Sequence, residues 1–189
     1  MSLPIETALL NAIVFRGLQI SLVLALIYFV FTAKSQRVAR IYDKRFELKT
    51  KQEQCFASFW ITFFCLFIYI LIDEQITNTI IAADLDYLLR RKLFYFFRIC
   101  GVLMFLVSVY SLHSLRQCAF SPATRIAFYI SIPVVSIFFL QLILRGYLEI
   151  EALVPLYRWL AIVQCSTLSV VVLSNPVSEI YQMYKKRDM

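Results

Sequence analysis

Between Phe56 and Ile72 the chain reads FASFWITFFCLFIYILI, with no charged residue, glycine or proline. A soluble amphipathic helix keeps a polar face, and a barrel strand alternates over about 10 residues. This run does neither. A segment that is apolar on every side has to satisfy its backbone internally and bury its whole circumference, which a helix crossing a bilayer does over about 20 residues. Four further stretches share the pattern, so candidate spans lie at 9–32, 56–72, 93–112, 126–144 and 159–174. The prediction is an all-α, polytopic integral membrane protein forming one membrane domain over 1–189, with five transmembrane helices. Because 159–174 is the shortest stretch and the richest in Ser and Thr, a four-span arrangement, or a re-entrant fifth segment, stays open. Composition agrees: 61% of residues are hydrophobic and 16% charged, against roughly 45–50% and about 25% in soluble domains.

The basic residues sit in short blocks between the apolar runs, a distribution suited to membrane phosphates and not to direct nucleic-acid binding. Segment 33–55 holds Lys34, Arg37, Arg40, Lys44, Arg45, Lys49 and Lys51 against Asp43, Glu47 and Glu53. Placing it in the cytoplasm puts Arg116, Arg125, Lys185, Lys186 and Arg187 there too. The other side keeps only Arg90, Arg91, Lys92, Arg145 and Arg158, as the positive-inside rule requires. The N-terminus is then outside and the C-terminus inside. No basic n-region precedes the first span, so it is expected to stay in the mature protein.

With neither Gly nor Pro, 33–55 reads as a helical hairpin extending the first two spans, with Val38, Ile41, Tyr42 and Phe46 as an apolar edge. Asn175-Pro176 is expected to end the last span, leaving 175–189 as a basic tail whose Val177, Ile180, Tyr181 and Tyr184 form one side of a short interfacial helix. Pro133 predicts a kink or a tolerated membrane proline in the fourth span. Arg37, Arg40, Lys44, Arg45, Lys49, Lys51, Lys185, Lys186 and Arg187 are the candidates for binding a soluble cytoplasmic partner or anionic lipid.

An ionisable group inside a span costs about 2.5 kcal/mol or more, so it marks a candidate site. Arg16 and Arg98 qualify. In the predicted topology they lie at the outer ends of their spans with Gln19, Asp73, Glu74, Gln141, Arg145 and Gln164. Either these groups meet in an outward polar cavity that takes a ligand or lipid head group, with Asp73 or Glu74 as counter-charges, or the arginines snorkel to head-group phosphates. Cys55, Cys65, Cys100, Cys118 and Cys165 show no metal spacing to the single His113. Nucleophile elbows, P-loops, dinucleotide fingerprints and HExxH are missing. No metal, cofactor or catalytic residue is expected.

The expected function is therefore a non-enzymatic membrane subunit, a self-associating sensor or scaffold that presents its basic loop to a soluble partner. A small oligomeric pore or anion channel is the alternative, with the Ser and Thr residues of the fifth span as lining. In size and topology alone the chain resembles the small multispan membrane subunits of bacterial anti-phage defence systems of the Kiwa type. That resemblance implies a defence role, and compactness suggests a bacterial inner membrane.

Overall fold

A computed structural model of the chain describes residues 3–32, 41 and 47–187. Among these, five helices account for nearly all of the structure: α1 Leu3–Thr32, α2 Lys51–Ala82, α3 Tyr87–Arg116, α4 Pro122–Gly146 and α5 Val154–Arg187. All five are long and apolar enough to cross a membrane. α2, α3 and α4 extend beyond their apolar stretches to capping residues further out. Thr50 and Glu53 form a reciprocal capping box that starts α2. Asp86 caps α3 by accepting from the Leu88 N–H at 3.0 Å. Ser121 caps α4 with Pro122 in the first turn. Gln117 closes α3 in the left-handed conformation, φ 55°.

The helices form an open ring in the order α1, α5, α4, α3, α2; α1 packs along α5, and α2 and α1 touch only sparsely. Unlike a soluble bundle, the exposed surface is rich in large apolar side chains and the apolar core also holds polar ones. Phe31, Met104, Val107, Tyr129 and Val170 point outward and exposed, while Ser58, Thr62, Thr124, Ser131, Gln141, Asp73 and His113 are buried. An apolar exterior around a core that is mainly apolar and also takes in these polar groups fits a multi-pass membrane protein. Gly101 is the tightest glycine position: a Cβ there would lie 3.1 Å from the Tyr69 ring.

Three expectations need correction. The fifth span is not the shortest element but part of the longest helix, which runs unbroken through Asn175-Pro176 to Arg187, about 51 Å at about 1.5 Å per residue. Packing overrides the proline: Pro176 is buried, Ser174 Oγ donates to the Val171 carbonyl at 2.7 Å, and beyond the proline Tyr28 Oη donates to Glu179 Oε2 at 2.6 Å, tying α5 to α1. Val177, Ile180, Tyr181 and Tyr184 are accordingly exposed on a continuous helix and not on a separate interfacial one. Finally, residues 47–49 are not helical, because the Thr50 cap starts α2 at Lys51, so the hairpin's second arm is no long extension of the span. The rest of that hairpin lies outside the described residues except Ile41, which is fully buried against the bundle. Pro133 is likewise carried inside an unbroken α4.

At the end of the bundle that holds the α2 N-terminus, a polar network joins three helices. His113 Nδ1–H donates to the Val109 carbonyl at 2.7 Å, which leaves Nε2 to accept from Ser58 Oγ–H at 2.8 Å. Ser58 Oγ accepts from the Ser121 N–H at 2.8 Å, and Thr124 Oγ1 reaches Thr62 Oγ1 at 2.7 Å and Ser121 Oγ at 2.9 Å. Ser58 is fully buried, so the Ser–His contact ties helices together with no room for a substrate at the hydroxyl. Ser58→Ala leaves His113 Nε2 and the Ser121 N–H without their partner. It is expected to cost about 1–3 kcal/mol, read as a lower unfolding midpoint in detergent; an unchanged midpoint removes this role.

Candidate functional site

At the opposite end of the bundle α1 and α2 diverge, and a cavity of about 360 Å³ lies between them, with α3, α4 and α5 behind. Small-molecule sites start at about 300 Å³. Every helix contributes: Asn11, Phe15, Arg16 and Leu18 from α1, Tyr69, Ile70, Asp73, Glu74, Thr77 and Asn78 from α2, Arg98 from α3, Phe138 from α4, and Tyr157, Gln164, Cys165 and Leu168 from α5. The lining residues nearest mid-helix, Leu18, Ile70 and Leu168, are buried and apolar. Beyond them Leu22, Leu66 and Val172 are each only 2% exposed, which closes the cavity on that side.

Two ion pairs cross the site. Arg98 Nη1 donates to Asp73 Oδ2 at 2.5 Å, with the side chains 22% and 6% exposed. Arg98 Nε is buried without a partner among the described residues. At the rim, Arg16 Nη1 donates to Gln19 Oε1 at 2.6 Å and to Glu74 Oε1 at 3.3 Å, while Gln19 Nε2 donates to Glu74 Oε2 at 2.6 Å. The Arg16 side chain stays 68% exposed. The two arginines therefore differ. Arg16 has the exposure of a snorkelling side chain and also straps α1 to α2, whereas Arg98 turns inward onto a buried carboxylate.

The structure thus brings together Arg16, Gln19, Asp73, Glu74, Arg98 and Gln164, but not Gln141 or Arg145. Gln141 is fully buried on α4 away from the cavity, and neither of its amide atoms has a hydrogen-bond partner among the described residues. Arg145 joins a second cluster: Nη1 donates to Tyr95 Oη at 3.1 Å and Nη2 to Glu151 Oε1 at 3.3 Å, where Arg91 also donates at 2.9 Å. Sequence reasoning missed Tyr69, Tyr157, Cys165, Asn11 and Asn78. Only Asn11 and Asn78 carried a signal, as isolated amides near the ends of apolar runs.

The hydrogen bond from Arg91, joined by the charge of Arg145, holds the Glu151 carboxyl below the ordinary glutamate value of 4.5. A carboxylate whose folded pKa is depressed contributes stability above its unfolded pKa and loses it as pH falls through the folded one. Glu151→Gln is therefore expected to lower the melting temperature at neutral pH, with the gap to the parent protein closing in acid. A gap that persists unchanged at low pH counts against the ion pair.

Of the basic candidates, Lys49, Lys51 and Lys185 are exposed, and Lys49 pairs with Glu47 at 3.6 Å. Arg37, Arg40, Lys44 and Arg45 lie outside the described residues, as do the side chains of Lys186 and Arg187. Among the described residues, no group of three or more His, Cys, Asp and Glu side chains is placed to hold a metal ion. Compared with protein-family models, curated proteins and solved structures, the chain matches none.

Proposed function

We propose that this chain is a multi-pass membrane sensor subunit without catalytic activity of its own, which takes a small charged ligand into the cavity between α1 and α2 and presents its opposite, basic end to a soluble cytoplasmic partner. The cavity is the observation that carries this reading: all five helices line it, and two arginines and two carboxylates meet there at a depth where isolated charges are expensive. A ligand that changes how α1 and α2 sit at the cavity has a direct mechanical route to the other end, because both helices run the length of the bundle. The positive-inside rule supports a topology with the cavity facing outward and residues 33–55 and the C-terminus in the cytoplasm. A pore through one chain is disfavoured by the buried leucines beyond the cavity. Self-association, contact with anionic head groups and a bacterial inner membrane belong to the same proposal; a place in anti-phage defence is an alternative that rests on size and topology alone.

Two cysteines give the test. Cys165 lines the cavity, whereas Cys55 is exposed in the first turns of α2 at the opposite end. A membrane-impermeant methanethiosulfonate applied to intact cells, with modification read by peptide mass, is expected to reach Cys165 and spare Cys55. Modification of Cys55 alone reverses the topology; sparing of both removes the outward cavity. For the partner, reversing Arg37, Arg40, Lys44 and Arg45 to Glu is expected to strip a soluble protein from the subunit pulled down from its native cell. Retention of every partner overturns that part.

A further inference from the structure

The charges lining the cavity balance: Arg16 and Arg98 face Asp73 and Glu74, and the two carboxylates are neighbours on α2. A simple anion gains from the arginines but meets both carboxylates at similar range, and a simple cation meets the reverse. In a low-dielectric site the attraction and the repulsion grow together, so a ligand of one sign has little net advantage there. The unused hydrogen-bonding capacity is also of both kinds. Arg98 Nε is a buried donor with no partner among the described residues. On the paired carboxylate, Oδ2 takes the Arg98 hydrogen bond and no hydrogen bond reaches Oδ1 among the described residues, so Asp73, a lining residue of the cavity, keeps acceptor capacity. An orphaned donor beside a half-used acceptor is complementary to a ligand that brings one group of each type. Toward mid-helix the lining turns apolar, with Phe15, Leu18, Ile70, Phe138 and Leu168.

On the reading of the cavity as a ligand site, we infer that its ligand is a zwitterion, a primary ammonium a few bonds from a phosphate, with the ammonium directed to Asp73 and Glu74 and the phosphate to Arg98 and Arg16. That chemistry exists both as the ethanolamine head group of a phospholipid and as a free phosphorylated amine. The sparse contact between α1 and α2, bridged at this end by the Arg16–Gln19–Glu74 hydrogen bonds, leaves a lateral seam through which a head group can enter from the bilayer. Choline offers no N–H donor and phosphatidylglycerol no cation, so both are discriminating controls.

Native mass spectrometry of the detergent-solubilised full chain, titrated separately with dihexanoyl phosphatidylethanolamine, dihexanoyl phosphatidylglycerol, dihexanoyl phosphatidylcholine and O-phosphoethanolamine, reads the ligand class directly. Phosphatidylethanolamine is expected to bind at least ten-fold more tightly than the other two lipids. Glu74→Gln at the rim is expected to erase most of that preference, as is Asp73→Asn where the variant folds. Binding of O-phosphoethanolamine at similar affinity identifies a soluble ligand; binding of the lipid alone identifies the membrane as the source. Phosphatidylglycerol bound as tightly as phosphatidylethanolamine overturns the zwitterion and leaves the ligand site standing. Failure of all four probes to bind or to protect Cys165, with Cys165 accessible to the thiol reagent, overturns the zwitterion in the same way, whereas an inaccessible Cys165 removes the site itself.

Discussion

Arg98→Ala is expected to destabilise the folded bundle by about 3–5 kcal/mol, with Asp73→Ala in the same range, while the double replacement Asp73→Leu with Arg98→Met costs far less than either alone. The asymmetry follows from burial. The two side chains are 6% and 22% exposed and bond each other at 2.5 Å, so removing one partner strands the other as an uncompensated charge. Removing both exchanges an ion pair for apolar contacts, which is often neutral or better. An ordinary surface pair does not behave this way, since its loss costs about 0–1 kcal/mol. The Arg16–Glu74 pair, with Arg16 largely exposed, serves as the internal comparison. Denaturant unfolding in detergent followed by intrinsic fluorescence checks the series. A double variant that loses the sum of the two single losses would show that the two residues act independently, contrary to their geometry. The double variant also separates stability from ligand binding, because a folded protein lacking both charges should no longer distinguish ethanolamine from glycerol head groups.

The helices were legible in the sequence because continuous hydropathy needs no tertiary information. The uncharged run in α2 and the stretch around Leu18–Phe31 admit one reading each. Helix ends were less legible. Gln75–Ala82 and Arg90–Lys92 contain polar and charged residues that an apolar window rejects, yet both are helical since caps at Asp86 and Ala83 lie further out. Asn175-Pro176 misled for a related reason: a local breaker is overridden when packing on α1 continues past it. For the site, depth was readable and direction was not. Arg16, Asp73, Glu74, Arg98, Gln141, Arg145 and Gln164 all lie toward the same end of the bundle, but whether a side chain faces the centre depends on helix rotation, which the apolar circumference leaves undetermined. Gln141 and Arg145 illustrate this, sharing an end with the cavity without lining it. The Ser58–His113 contact joins residues far apart in sequence, and nothing in either span singles it out.

The second large effect is expected at Trp60, where Ala should cost about 3–5 kcal/mol. Trp60 is 1% exposed and touches five rings: Phe29 at 4.5 Å, Phe59 at 5.1 Å, Phe63 at 5.2 Å, and Phe56 and Phe64 at 6.2 Å between centroids. Phe29 is the one that belongs to α1. Where α1 and α2 otherwise meet sparsely, this contact closes the seam at the end away from the cavity, so the truncation should loosen α1 as well as open a void. Trp60→Phe tests what kind of interaction dominates. The indole Nε1 is buried with no hydrogen-bond partner among the described residues, an arrangement that itself costs about 1–3 kcal/mol. Phenylalanine removes that donor and keeps part of the ring contact at the cost of a smaller void, so the substitution should lose clearly less stability than Ala does. If Phe proves as damaging as Ala, the indole N–H has a partner that matters, and the seam is held by a polar contact and not by ring packing. With Phe tolerated and Ala not, shape alone holds α1 against α2 at this end, and the polar strap of Arg16, Gln19 and Glu74 at the other end is left as the part of the seam a ligand can open.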